Sequence, residues 1–339
     1  MKIIKKYTPG ILVTILLTLL AKYLSNFIPM GLISPGVFAL LLGMFLNPLF
    51  GKYDLFKSGI SFVSKEVLRL GIILMGATLS FSQVFEVGKY SLFVMIFTLF
   101  TAFVGGYYLG KLFKMDWKLS GLISAGTGIC GGSAIAAIAP TIDAEANHVA
   151  YSISATFIFD ILMVILFPIA GRFFAMSDLG FGLWTGTAVN DTSSVVAAGY
   201  AFSDAAGSFS LIVKLTRTLS IIPAVLTFSY INEKLNTKKA HNIEKSKVDI
   251  KKIFPWFIIL FLILVGIKSI GIISSNLSSQ ISTISKFCMI MALGAIGLKT
   301  NFEEVSESGF LPMLHGFIIS ALVVIVSFIV QMMMGQIFS

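Results

Sequence analysis

"AGTGICGGSAIAA", residues 125–137, contains G-x-G-x-x-G at Gly126, Gly128 and Gly131, and Glu145 follows downstream. Taken alone, the pattern is a dinucleotide-binding fingerprint. That reading needs a strand before it and a helix after it, inside a soluble βαβ unit. The neighbours decide otherwise. "WKLSGLISA" (117–125) belongs to a segment of membrane length, and the stretch after the motif ends at Pro140 and a polar loop. No parallel-sheet pattern occurs elsewhere in the chain. The motif is a glycine-rich stretch within an apolar segment of membrane length.

Working outward, the 339 residues are 56% hydrophobic and 12% charged, about half the charge of a soluble domain. The mean hydropathy is +0.93. Apolar residues fall in blocks such as "ILVTILLTLL" (11–20) and "FIISALVVIVSFIV" (317–330). About twenty such residues cross the bilayer core as a helix. The expected fold class is an all-α polytopic membrane protein with about eleven transmembrane helices. The spans are placed at 9–29, 32–50, 66–85, 90–113, 119–139, 149–171, 180–201, 207–231, 253–274, 280–299 and 309–335. One transporter domain covers 1–339, with a first helical block (1–231), a basic loop (232–252) and three final helices (253–339). "MKIIKKYTPG" resembles a signal peptide, but no clean cleavage site follows it, and it reads as the start of an uncleaved first span.

Charge tests the count, because cytoplasmic loops hold Lys and Arg. The expected inner segments carry Lys2, Lys5 and Lys6; Lys52, Lys57 and Lys65; Lys111, Lys114 and Lys118; Arg172; and seven lysines in 232–252. The expected outer segments 141–148, 203–208 and 274–280 lack Lys and Arg, with Lys89 and Lys268 as outer exceptions. The expectation is an inner-membrane protein with its N-terminus cytoplasmic and its C-terminus outside. The formal charge of +9 then serves topology, and nucleic acid is not a partner.

Cys130 and Cys288 lie in apolar segments, and His148, His241 and His315 are scattered. They form no disulfide framework and no metal-ligand spacing. No cofactor is expected beyond a coupling Na⁺ or H⁺. No nucleophile–base pair supports an enzyme.

Two internal echoes appear. "GATLSFSQVFEV" (76–87) resembles "GAIGLKTNFEEV" (294–305), seven spans apart and so antiparallel, as an inverted repeat predicts. "GTGICGGSAIAAIA" (126–139) resembles "GTAVNDTSSVVAAG" (186–199), which is parallel if both segments cross fully and not if either is re-entrant.

These two segments carry the candidate chemistry. Glycine costs about 1 kcal/mol against alanine in a helix interior, so the cluster around Gly131 and Gly132 needs a reason. Close helix packing is one. A broken helix is the other, since unwound backbone at membrane depth survives where it is buried in protein or lines a cavity. A half-helix starting near Gly132 would aim N–H groups at the break, which suits an anion. Thr127 and Ser133 flank it. The second segment places Asn190, Asp191, Thr192, Ser193 and Ser194 at mid-span, where a central Asp costs roughly 2.5–3.5 kcal/mol. Asp191 also reads as an N-cap for "SSVVAAG".

Asp160 sits mid-span, and Lys214 and Arg217 share a helix face. A buried Arg needs a partner, and Asp160 or Asp191 is the natural one. Arg217 is also the better anion ligand, through its bidentate fork. Lys214 is expected nearer the interface. Lys286, Lys299, Asn47, Asp143, Glu145 and His148 read as interfacial or solvated.

"GTGICGGSAIAAIAP" (126–140), "GLWTGTAVNDTSSVVAAGYAF" (182–202), "IVKLTRTLSIIP" (212–223) and "ALGAIGLKTNF" (292–302) together resemble the YeiH-type sulfate exporter family across essentially the whole chain. The resemblance implies kinship with cation–proton antiporters and with anion transporters such as bile-acid symporters. It also implies inverted repeats with broken or re-entrant helices, an elevator mechanism and, by that analogy, a homodimer. One departure is Asn190, where that pattern has a histidine before the aspartate.

The expected function is secondary transport of a small anion, a sulfur oxyanion or small organic acid. Thr127, Gly131, Gly132, Ser133, Asn190, Thr192, Ser193, Ser194 and Arg217 would bind it. Asp160, Asp191 and Lys214 would serve coupling or ion pairing. The alternative is a cation–proton antiporter working through Asp191 and Asp160.

Overall fold

The computed structural model describes residues 2–25, 34–51, 53–237, 254–300 and 309–337. Most of the basic loop and the end of the 294–305 echo lie outside them. The described residues are all helical, without strands.

The chain opens with α1 (Lys2–Ser25) and α2 (Pro35–Phe50), the latter started by Ser34 and Pro35. Next, α3 (Asp54–Phe62) runs through a π turn into α4 (Leu68–Met75) and a 3₁₀ turn at Gly76–Thr78. This run starts earlier than the span expected at 66–85. Asp54, Lys57, Lys65, Glu66 and Arg69 make it amphipathic, so hydropathy alone finds only its apolar end; Lys57 pairs with Asp54 at 2.9 Å on its first turn. A capping box between Ser80 and Gln83 starts α5 (Phe81–Phe100), which continues through a π turn into α6 (Gly106–Leu112).

Two interrupted segments follow, separated by one long helix. First come α7 (Trp117–Ala125), a π turn (Gly126–Cys130), α8 (Gly132–Ile138) and a 3₁₀ turn (Ala139–Ile142). Then comes α9 (Ala146–Phe173), and after it α10 (Asp178–Ala188) and α11 (Thr192–Phe202). The rest is α12 (Asp204–Thr218), α13 (Ile221–Thr237), α14 (Trp256–Ser269), α15 (Ser275–Lys299) and α16 (Phe310–Met333).

Six of the described helical runs are long and apolar enough to cross a membrane: Lys6–Ser25, Phe81–Leu112, Ala146–Phe173, Asp204–Leu235, Ser275–Lys299 and Phe310–Met333. The two interrupted segments are not among them, because each is a hairpin. Lys118 at the start of α7 donates from Nζ to the Asp143 carbonyl at 2.8 Å, so both ends of the first hairpin lie together. Asn232, late in α13, donates to Asp143 Oδ2 at 3.1 Å on that same face. In the second hairpin, Ser203 Oγ donates to Asp178 Oδ1 at 2.5 Å, and Phe202 stacks on Phe181 with centroids 4.1 Å apart.

The 28 residues of α9 carry the chain from one face to the other, since its first turn follows Asp143 and its last precedes Asp178. The two hairpins therefore enter from opposite faces. From Trp117 to Cys130 the first leg is about 21 Å long at 1.5 Å per residue, shorter than the ~30 Å core of a bilayer.

This geometry revises two placements. Asp143, Glu145 and His148 were expected on the face opposite Lys118, and Asp143 instead accepts from it. Arg172 was expected with the lysines; its Nη2 donates to the Ala201 carbonyl at 2.9 Å, at the open end of the second hairpin. Each hairpin returns to its starting face, so the two reversals cancel for everything after α11.

Elsewhere small residues set the spacing. A β-carbon on Gly297 of α15 would lie 2.2 Å from the Leu40 carbonyl of α2, and one on Gly43 would lie 2.4 Å from the Gly294 carbonyl. Asn47, near the end of α2, is buried at this seam and donates to the Leu298 carbonyl at 2.6 Å.

Candidate functional site

The first hairpin turns at Gly131, with φ 64° and ψ −135°, a conformation only glycine adopts without strain. Its amide donates to the Gly126 carbonyl at 2.8 Å, closing the π turn. The second hairpin turns through extended residues, Val189 at φ −78°, ψ 137° and Asp191 at φ −88°, ψ 146°. The tips touch. A β-carbon on Gly131 would meet Asp191 Cβ at 3.3 Å.

Each tip ends one short helix and begins another. Ending α7 and α10 leaves carbonyl oxygens without intrahelical donors, and beginning α8 and α11 leaves N–H groups without acceptors. Charged side chains from neighbouring helices fill these gaps. Lys214 of α12, fully buried, donates from Nζ to the carbonyls of Ile129 (2.9 Å), Val189 (3.1 Å) and Asn190. Arg217, one turn on and also fully buried, donates from Nε to Gly128 (2.6 Å), from Nη1 to Val189 (3.1 Å) and from Nη2 to Thr127, all carbonyls. Two cations thus hold the carbonyl ends of both hairpins, where the helix dipole is negative.

At the second tip carboxylates take the amide side, whereas α8 begins after Gly131 without a side-chain cap among the described residues. Asp160 of α9, 1% exposed, accepts from the Asn190 amide on Oδ1 (2.8 Å) and the Asp191 amide on Oδ2 (3.1 Å). Asp191 caps α11, its Oδ2 accepting from the Ser193 amide at 2.8 Å and from the Ser193 hydroxyl.

The structure therefore gathers Thr127, Gly131, Gly132, Asn190, Asp191, Thr192, Ser193, Asp160, Lys214 and Arg217 at one junction. Several side chains differ in placement from the sequence expectation. Among the described residues neither Lys214 nor Arg217 forms an ion pair within 4.0 Å of a carboxylate. Arg217, expected to face an anion, spends its fork on peptide carbonyls. Lys214, expected near the interface, lies at the centre. Ser133 is exposed on the face of α8, Thr192 and Asp191 are half-buried, and Ser193 and Ser194 are buried in the first turn of α11. Thr127 Oγ1 and Asn190 Oδ1 are buried without a hydrogen-bond partner among the described residues, although Asn190 Nδ2 reaches Ser320 Oγ at 3.3 Å.

Sequence reading missed the polar face of α16. His315, Ser320, Ser327 and Gln331 are all fully buried. His315 Nε2 lies 3.1 Å from Ser120 Oγ, Ser320 meets Asn190, and Ser327 Oγ lies 2.5 Å from Thr187 Oγ1 and accepts from Gln331 Nε2 at 3.0 Å. The signal was present as isolated polar residues on one side of a very apolar helix.

The model of the family described as Conserved hypothetical protein 698 matches residues 9–316. A UPF0324 membrane protein from Clostridium tetani is 68% identical over 345 residues, covering 99% of this chain and 100% of that protein. One from Streptococcus pneumoniae is 39% identical over 343 residues, covering 99% of each. One from Streptococcus pyogenes is 40% identical over 336 residues, covering 96% of this chain and 97% of its own. The chain belongs to the UPF0324 membrane protein family and is a multi-pass helical membrane protein.

Proposed function

We propose that this UPF0324 member is a secondary transporter that carries a small anion past the junction of its two hairpin tips. The observation that carries this reading is the contact of Gly131 with Asp191, made by hairpins that enter from opposite faces. Irregular backbone at membrane depth is tolerated where it is buried in protein or lines a cavity, and transporter sites are typically formed by such discontinuous helices. The starts of α8 and α11 meet at this junction, and the hydroxyls of Ser133 and Thr192 are the accessible donors beside them. The carbonyl ends, which would repel an anion, are neutralised by Lys214 and Arg217. The resemblance to YeiH-type exporters adds sulfate and sulfite to the candidates, together with small carboxylates. Movement of the hairpin pair against the α2–α15 seam is the elevator form of the proposal, with a homodimer as its support. The lysine-bearing face, with Lys111, Lys114 and Lys118, is the cytoplasmic one.

The test is a thermal-shift screen of the purified protein against sulfate, sulfite and small carboxylates, with and without Na⁺, at two pH values. A ligand of the folded state raises the unfolding midpoint. A midpoint that no anion moves counts against the anion reading.

A second reading has its own support. Asp191 and Asp160 bring two carboxylates to the same junction, which suits cation–proton exchange. That reading predicts pH-dependent Na⁺ or Li⁺ movement in proteoliposomes, lost in Asp191→Asn.

A further inference from the structure

The carbonyls of Thr127, Gly128, Ile129, Val189 and Asn190 converge from two chain breaks onto one small volume. Buried, unwound carbonyls grouped in this way are the usual ligands of a dehydrated sodium or potassium ion. Here that volume already holds positive charge. The Lys214 ammonium takes three of the oxygens, one from the first tip and two from the second. The Arg217 guanidinium takes three contacts, two on the first tip and one on the second, and it shares the Val189 carbonyl with Lys214. An ammonium with three oxygen partners is close in size and charge to a partly dehydrated alkali ion, and its stem anchors it to α12.

We propose that Lys214 and Arg217 are tethered cations that occupy the position an alkali coupling ion would take, so that the two hairpin tips are held together, and work, without sodium or potassium. The proposal rests on the reading that the tips are the transport junction, but its test does not depend on any substrate. A metal ion at such a position leaves and returns in each cycle. A tethered ammonium stays, so the chain trades an exchangeable ligand for a permanent one.

The experiment measures unfolding midpoints of the full chain in detergent, in sodium, potassium, ammonium and choline chloride at equal ionic strength. For the native sequence the midpoints agree within about 1 °C across these salts, because no site gains a ligand. Lys214→Ala takes the ammonium from the Ile129 and Asn190 oxygens and leaves Val189 to Arg217 alone. Its midpoint in choline chloride falls by roughly 5 °C or more and recovers saturably with ammonium or with an alkali cation. Lys214→Gln keeps N–H donors without charge and is expected to sit low and to stay low. A saturable, sodium-specific rise in the native chain would overturn the proposal. So would a Lys214→Gln protein as stable as the native one, since hydrogen bonding alone would then suffice. Should Lys214→Ala yield no folded protein, these two measurements still decide. Loss or retention of anion binding bears on the transport reading and leaves this result untouched.

Discussion

Gly131 faces Asp191 across the junction so closely that a β-carbon on the glycine would stand 3.3 Å from Asp191 Cβ and 3.4 Å from Asp191 Oδ1. Two demands meet at this position, a left-handed φ of 64° and a tight contact. Gly131→Ala is expected to cost about 1–3 kcal/mol from backbone strain alone, and to push Asp191 off its cap. The midpoint of thermal unfolding and any flux assay should both fall. A Gly131→Ala protein with native stability would show that the chain does not need a left-handed residue at this position.

Asp160 uses both oxygens on backbone amides, Oδ1 on Asn190 and Oδ2 on Asp191. Asp160→Asn offers one acceptor and turns an NH₂ toward the other amide. The unmatched pair is expected to cost about 1–3 kcal/mol, read as a lower unfolding midpoint. If the residue mattered only as a charge carrier, Asp160→Asn would leave that midpoint unchanged and alter transport alone.

Arg217 reaches three carbonyls through three different nitrogens. A lysine at 217 has a compact head that cannot spread over Thr127, Gly128 and Val189. Arg217→Lys is therefore expected to be destabilised nearly as much as Arg217→Ala, because each buried carbonyl that loses its charged donor costs about 1–3 kcal/mol. Near-native stability of Arg217→Lys would argue that charge, and not reach, is what the junction needs.

The hairpins make a sidedness prediction. In a background lacking Cys130 and Cys288, single cysteines at Lys118 and Asp143 should react with an impermeant thiol reagent from the same side of the membrane. Cysteines at Asp178 and Ser203 should react from the other. Labelling of Lys118→Cys and Asp143→Cys from opposite sides would mean that the first hairpin crosses.

The sequence made some of this plain and hid the rest for definite reasons. Blocks of apolar residues announce a membrane chain, and glycines at an energetic cost announce a break near Gly131. Asp160, Asp191, Lys214 and Arg217 stand out because charge in an apolar run is expensive. Their pairing was not legible. A string of letters shows opposite charges, which suggests ion pairs, but it does not show the orphan carbonyls that the breaks create. The reversal was hidden too, because both legs of the first hairpin are as apolar as a crossing helix and the turn resides in one backbone angle. Arg172 even pointed the wrong way, since it joins the lysines on the inner side only if the first segment crosses fully. Ser320, Ser327 and Gln331 were lost inside the hydropathy of α16.

The ties from α12 to the first tip also set an order of events at the ribosome. Ile129 leaves the ribosome 85 residues before Lys214, and Gly128 leaves 89 before Arg217. At about 5–20 residues per second, the first hairpin spends roughly 4–18 seconds with bare carbonyls at its tip. It must wait in the translocon, at the interface or against water until α12 is made. The nascent chain up to α11 is thus an incomplete object that cannot bury its own turns, and a stop before residue 217 leaves it without the part that closes it.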